Sequence, residues 1–392
     1  MAYAGFDFYK LDALLTPQQR AVRDQVREYV ENVVLPHINP YWERGEFPYE
    51  IALRLKELPI SIMGGVLRGY GCAGLDPLEC GLVAYELSRG DGSVGTFYGV
   101  HSGLAMGAIG LLGSDEQRQR WLPAMARLEK IGAFGLTEPE RGSDASHVQT
   151  TARRENGHYI LNGAKRWIGN ASICDLIVIW AQDGEGGMGG FVIENPNQTE
   201  GFRAEPIRGK IAKRALINDA ITLDNVRVPV ENRLAKSRSF RDTAKVLAFT
   251  RYGVAWEAAG LAAGCFELAL RYAREREQFG RPIASFQLIQ QKLVEMASEV
   301  TQMQLLCFQL AQLMARGEMT EGIAAMAKYS NARKARHVAA LARETLGGNG
   351  ILIENHIARL FTDVEAVYTY EGTNEITMLV AGREITGLSA FV

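Results

Sequence analysis

The stretch "HYILNGAKRWIG", residues 158–169, decides the fold class. It sets two strand-like runs around Asn162-Gly163, a dipeptide suited to the left-handed backbone of a tight turn, and so predicts a β-hairpin. Three further runs, "CDLIVIWAQ" (174–182), "GGFVIEN" (189–195) and "AITLDNVRVP" (220–229), have the same character, with glycine-rich turns between them. Residues 132–238 therefore read as a β unit.

On either side the periodicity is helical. "TPQQ" (16–19) places Thr16 as an N-cap, Pro17 at the first helical position and Gln19 as the reciprocal partner of a capping box. Val22, Val26, Tyr29, Val30 and Val33 then form an apolar stripe that stops before Pro36. Helices are expected near 48–58, 78–90 and 94–111, and "SDEQ" (114–117) repeats the capping signal before another. Residues 1–131 thus read as a helical domain. Residues 239–392 carry long helical segments at 241–277, 286–316 and 320–346 and a shorter pair after "GGNG", the pattern of an antiparallel bundle. The expectation is a mainly α protein with a β middle domain.

Composition gives no reason to expect several kinds of partner. The 392 residues carry 43 basic and 45 acidic side chains, a formal charge of -2, which offers no field for nucleic acid or an anionic membrane. Five cysteines, Cys72, Cys80, Cys174, Cys265 and Cys307, lie far apart without a nearby histidine cluster, so buried reduced thiols in the cytoplasm are expected and no metal site. The N-terminal "MAYAGFDFYKLD" has no secretory pattern and the terminal "GLSAFV" no lipidation or peroxisomal signal. "SVGTFYGVHSGLAMGAIGLLG" (93–113) is long and uncharged enough to cross a bilayer, but its glycines and His101 suit a helix packed closely among others.

Five segments interrupt this pattern. "FGLTEPERGSD" (134–144) is either a polar interdomain loop or a set of hydroxyls and exposed amides able to hold a phosphate or a heterocycle edge. In "KRWIGN" (165–170), Trp167 is either core or the wall of a flat ring. "REREQFGRP" (274–282) either caps a helix C-terminus or reaches a pyrophosphate, and "ETLGGNGI" (344–351) either ends a helix at a left-handed Gly347 or admits a ligand to bare backbone. In "YTYEGTNEIT" (368–377), Glu371 follows two tyrosines, and its nearest C-terminal cation is Arg383. It is either a surface acid before a helix or a desolvated carboxylate suited to accept a proton from a weak carbon acid.

In their order and spacing, "GLTEPERGSD", "KRWIGN", "REREQFGRPI" before "FQLIQQKL", "LGGNGI" and "YEGTNEI" resemble the acyl-CoA dehydrogenase family of FAD enzymes over nearly the whole chain. The branch resembled contains glutaryl-CoA dehydrogenases and the short-chain acyl-CoA oxidases of plants. The resemblance implies an N-terminal helical domain, a middle β-barrel and a C-terminal four-helix bundle, assembled as a homotetramer. It implies FAD lined by Phe134, Leu136, Thr137, Trp167 and Gly169, with Gly142 and Ser143 at its phosphate side and Ser143 also facing the pantetheine. Arg276, Gln278, Phe279, Gln287, Glu344, Gly347 and Gly348 would bind the dinucleotide across a subunit interface, and Thr373 and Glu375 its adenosine part. Glu371 would be the base that removes the proton α to the thioester, with Arg251 orienting it; Gly95, Thr96, Tyr370 and Gly372 would line the acyl pocket.

Two departures narrow the expectation. In "ELSRGDGSVGTFYG" (86–99), Gly95 and Ser88 stand where glutaryl-CoA dehydrogenases carry an arginine and a second acid, which disfavours a substrate with a distal carboxylate and favours a short, uncharged, optionally branched acyl group on CoA or a carrier protein. "WIG" replaces the "WIT" of many dehydrogenases, removing a hydroxyl near the flavin and opening space, so both an electron-transfer flavoprotein and O2 stand as electron acceptors. A flavin- or DNA-binding member that dehydrogenates nothing is a further alternative, disfavoured by the near-neutral charge and by Glu371.

Overall fold

The computed structural model describes residues 7–184 and 186–391. Helix α1 (Pro17–Tyr29) begins with the expected capping box: Gln19 N donates to Thr16 Oγ1 at 3.2 Å and Thr16 N to Gln19 Oε1 at 2.9 Å. Its stripe of Val22, Val26 and Tyr29 is buried. Short helices α2 (Ile38–Arg44) and α3 (Tyr49–Ala52) follow, then α4 (Pro77–Gly90), whose cap is Asp76 with Glu79. The helix expected over 94–111 is a helical path in three parts: α5 (Gly92–Tyr98), a wide π turn (Gly99–Ala105) and α6 (Met106–Leu112). The second expected capping box, Ser114 with Gln117, opens α7 (Asp115–Ala126).

The middle of the chain forms a seven-stranded curled sheet of β1 (Gly132–Gly135), β2 (Thr151–Glu155), β3 (His158–Gly169), β4 (Leu176–Gln182), β5 (Met188–Glu194), β6 (Phe202–Pro206) and β7 (Asn218–Pro229). The order is β1-β4-β2-β3-β7-β6, with β5 also paired to β4. Strand β1 runs parallel to β4, whereas β3 pairs antiparallel with β2 and β7. No pairing joins β5 to β6 among the described residues, so the expected barrel is a sheet that curls without closing its ladder.

The hairpin predicted at Asn162-Gly163 lies elsewhere. Both residues fall inside the single strand β3, where the register with β7 slips between Leu161 and Gly163. Gly163 has φ +149°, and a Cβ there would sit 2.6 Å from Thr150 Oγ1. The dipeptide serves a bulge, and Asn162 fixes it by accepting from Asn225 N at 2.8 Å. The true turn is Asn156-Gly157, with φ of 45° and 77°, closing the Glu155–His158 pair between β2 and β3.

The last third consists of α8 (Phe240–Glu275), a two-stranded hairpin of β8 (Glu277–Gln278) and β9 (Arg281–Pro282), α9 (Gln287–Ala315), α10 (Glu321–Thr345), α11 (Ile357–Thr369) and α12 (Asn374–Thr386). Among the described residues α8 is the one helix long and apolar enough to cross a bilayer, yet 83% of its apolar window is buried inside the protein. It packs closely on α4: a Cβ on Gly260 would lie 2.2 Å from Tyr85 O. Buried His101, in the π turn, ties the first helical region to the sheet. Its Nδ1 accepts from Gly132 N at 3.0 Å, which leaves Nε2 to donate to Met125 O at 3.0 Å. All five cysteines are free.

Candidate active site

A cleft of about 1520 Å³ lies among the three regions of the chain. Its wall includes Gly95 and Thr96 of α5, Thr137 beyond β1, Trp167 and Gly169 of β3, Thr250 and Arg251 of α8, and the turn Tyr370–Thr373.

That turn, between α11 and α12, has an unusual backbone. Glu371 has φ +54° and Gly372 φ +87°. A non-glycine residue in the left-handed region costs about 1–3 kcal/mol and persists only where its surroundings hold it. Three carbonyls of the segment are gripped: Lys328 Nζ donates to Tyr368 O at 3.1 Å and Gly372 O at 2.8 Å, and Arg251 Nε to Glu371 O at 3.1 Å. Thr373 then caps α12, its side chain accepting from Ile376 N at 3.2 Å. The carboxylate of Glu371 is not unpaired as the sequence suggested, since Thr250 Oγ1 donates to its Oε2 at 2.8 Å. Burial raises its pKa; the Thr250 hydroxyl, Arg251 and Lys328 pull it down, and Glu257 pushes it up. Arg251 thus hydrogen-bonds the backbone of Glu371 and acts on its carboxylate through charge alone.

Beside the turn stands a polar wall. Tyr370 OH donates to Glu257 Oε2, Thr96 Oγ1 has its single proton within reach of both Gly92 O (2.8 Å) and Glu257 Oε1 (3.1 Å), and Lys213 Nζ donates to Glu257 Oε1 at 2.7 Å and Gly92 O at 2.9 Å. Every member is satisfied from within the wall. Burial and the adjacent Glu257 push the Tyr370 phenol well above its ordinary pKa. Ser88 Oγ, buried behind it, faces Gly95: a Cβ on Gly95 would lie 2.4 Å away, so this α4–α5 contact has no room for a larger side chain at 95.

On the sheet side, the segment carrying Thr137, Gly142 and Ser143 is anchored by a buried pair. Lys165 Nζ donates to Leu136 O at 3.0 Å and Glu138 Oε1 at 2.9 Å, and the same carboxylate accepts from Gln149 N and Thr150 N. Burial lowers Lys165 to about 8. Phe134, Leu136, Gly142 and Ser143 all line the cleft. Trp167 is 53% exposed, with the Arg166 guanidinium 5.2 Å from its ring centroid. Gly169 lines the cleft, and Val100 borders it closely: a Cβ there would meet Val100 Cγ2 at 3.1 Å.

Other predicted residues lie off the cleft. Arg276, Gln278 and Phe279 lie at the β8–β9 hairpin, whose turn projects Phe279 at 93% exposure, and Gln287 opens α9. Glu344 pairs with Lys292 at 2.8 Å. Gly347 has the expected left-handed φ of 58°, and nothing crowds it or Gly348. Glu375 is exposed on α12. Sequence reasoning missed Thr250, Glu257, Lys213 and Lys328. Lys328 left a trace: it interrupts a face of small residues, Ala324, Ala325, Ala327, Ala332 and Ala335, that the fold buries.

Comparison with known proteins bears on this arrangement. The descriptions "Acyl-CoA dehydrogenase, N-terminal domain", "middle domain" and "C-terminal domain" match residues 16–129, 133–226 and 240–386. A 3-(aryl)acrylate reductase of Clostridium sporogenes is 35% identical over 377 residues, covering 94% of this chain and 99% of that protein. A short-chain-specific acyl-CoA dehydrogenase of Clostridium acetobutylicum is 34% identical over 382 residues, covering 96% and 100%. A glutaryl-CoA dehydrogenase of Mycobacterium smegmatis, solved in complex with FADH2, superposes with a TM-score of 0.95 at 35% identity over 100% of both chains.

Proposed function

Because this chain belongs to the acyl-CoA dehydrogenase family, we propose that it removes two hydrogens from adjacent carbons of a short, uncharged acyl-CoA thioester, with Glu371 taking the α proton. The chain is an FAD-dependent oxidoreductase. Its cleft fits the cofactor: about 1520 Å³ exceeds the roughly 300–1,000 Å³ of a site for one small ligand. Trp167, Phe134 and Leu136 supply flat and apolar wall, and Thr137 and Ser143 supply hydroxyls beside an uncrowded Gly142. When bound, FAD supplies the acceptor for the hydride that leaves the β carbon.

The observation that carries the reading is the Glu371 carboxylate, presented at the cleft wall by a strained turn and steadied by Thr250. Burial brings its affinity for protons toward the working range, as a base for a weak carbon acid requires. The Glu371 N–H donates to no group among the described residues, so it is free to meet the developing enolate oxygen. Arg251 holds the base's backbone and, by its charge, favours the ionised carboxylate.

The preference for an uncharged acyl group rests on the polar wall. Lys213 is committed to Glu257, and Lys210 donates to Lys213 O, Leu216 O and Asn218 Oδ1, so neither is free for a distal carboxylate. A carboxylate buried there unpaired would cost several kcal/mol. Glutaryl-CoA is therefore disfavoured despite the glutaryl-CoA dehydrogenase relatives. Val100 and Gly169 both line the cleft, so an electron-transfer flavoprotein and O2 both stand as acceptors, and the recolouring test below separates them.

The test is spectroscopic. Purified protein should be yellow, and butyryl-CoA should bleach it without oxygen. Glu371→Gln should slow bleaching roughly 10²–10⁴-fold; bleaching at the native rate would end the assignment. Rapid recolouring in air, with one peroxide per flavin, would instead favour O2 as the acceptor.

A further inference from the structure

We propose that Lys328 is a positioning residue for this reaction: its ammonium clamps the turn that carries Glu371 and thereby holds the base in its working place. The inference rests on the reading of Glu371 as the base.

Lys328 is fully buried on α10, and both of its bonds go to main-chain carbonyls, Tyr368 O and Gly372 O, on opposite sides of Glu371. An ammonium is a costly group to bury, and it forms no salt bridge among the described residues. Its pKa is lowered to about 8, burial outweighing the upward pull of Glu371. Two carbonyls four residues apart converge on one nitrogen only if the turn between them is folded back. This is the turn in which Glu371 and Gly372 take their left-handed φ values. Arg251 holds the carbonyl between, so the two cations together fix the backbone from which the carboxylate projects. An apolar side chain at 328 would fill the space but leave both carbonyls without a donor.

The ammonium also has an electrostatic effect that a merely structural contact would lack, because it stabilises the Glu371 carboxylate. The other charged or titratable groups acting here are Arg251 and Glu257 of α8, Glu321 of α10, Tyr370 of the turn and Glu375 of α12. None of them bonds both flanking carbonyls.

The experiment measures the anaerobic rate of flavin bleaching by butyryl-CoA in the holoenzyme, across pH, for Lys328→Met and Lys328→Gln. Methionine removes donors and charge together; glutamine keeps two N–H groups on one nitrogen without the charge. Lys328→Met should lower the limiting rate about tenfold or more, with half-saturation changed by no more than about twofold, and move the acid limb of the rate profile to higher pH. Lys328→Gln should recover much of the rate but keep the moved limb. A native rate with an unmoved acid limb in Lys328→Met overturns the proposal. If Lys328→Met fails to retain FAD, the same outcome in Lys328→Gln overturns it. Glu371→Gln separates the two ideas: if it bleaches normally, the base assignment falls and this inference with it. If it is inert while both Lys328 variants behave as native, only the clamp is wrong.

Discussion

Glu371 illustrates how far single residues were legible. Its place in "YEGT" marked it, and burial among tyrosines predicted the upward pKa that the structure gives. Of its partners only Arg251 was legible, through the resemblance; Thr250 lies 121 residues away, and Lys328, which its place among small residues on α10 marks only as unusual, acts on main-chain carbonyls. Thr250→Val removes the hydroxyl that stabilises the carboxylate. The Glu371 pKa then rises further, and the acid limb of the bleaching rate moves to higher pH, which stopped-flow measurements across pH would reveal. Bleaching should slow at acidic pH and change little at alkaline pH, where the carboxylate is ionised in either protein.

Among elements, caps and periodicity predicted well and turn chemistry less so. Both expected capping boxes formed, since each needs only residues within one helical turn. Asn162-Gly163 misled because the same left-handed tolerance serves a bulge as well as a turn, and pairing with β7, some sixty residues away, decides between them. Gly163→Ala should destabilise the protein by about 1–3 kcal/mol, visible as a lower melting temperature, because its Cβ would meet Thr150 Cα at 2.8 Å. His101, bridging the π turn to β1, predicts an acid response. Burial lowers it from 6.5 to about 4, so between those values the unfolded chain binds a proton that the native state refuses. Stability is intact above pH 6.5 and is lost as the pH falls toward 4, on the order of 3 kcal/mol from this group. Thermal melts should fall across that window, and less steeply in His101→Gln.

At the scale of the whole molecule, the helix–sheet–helix plan was legible because each third has its own periodicity, but the meeting of the thirds was not. The exposed apolar residues Phe279, Leu288 and Val294 on the β8–β9 hairpin and α9 are the surface that we propose for the homotetramer the resemblance implies. Val294→Glu should then shift light-scattering mass from tetramer toward smaller species, whereas an unchanged mass would place the contact elsewhere. The wall of Thr96, Lys213, Glu257 and Tyr370 draws one residue from the first third, one from the second and two from the last. With the acyl-CoA substrate proposed above, such a barrier would work as a ruler: a hydrocarbon tail that grows until it touches saturated polar groups would gain nothing from the next methylene and would have to bend aside. Catalytic efficiency should climb with tail length, then drop abruptly at one carbon count.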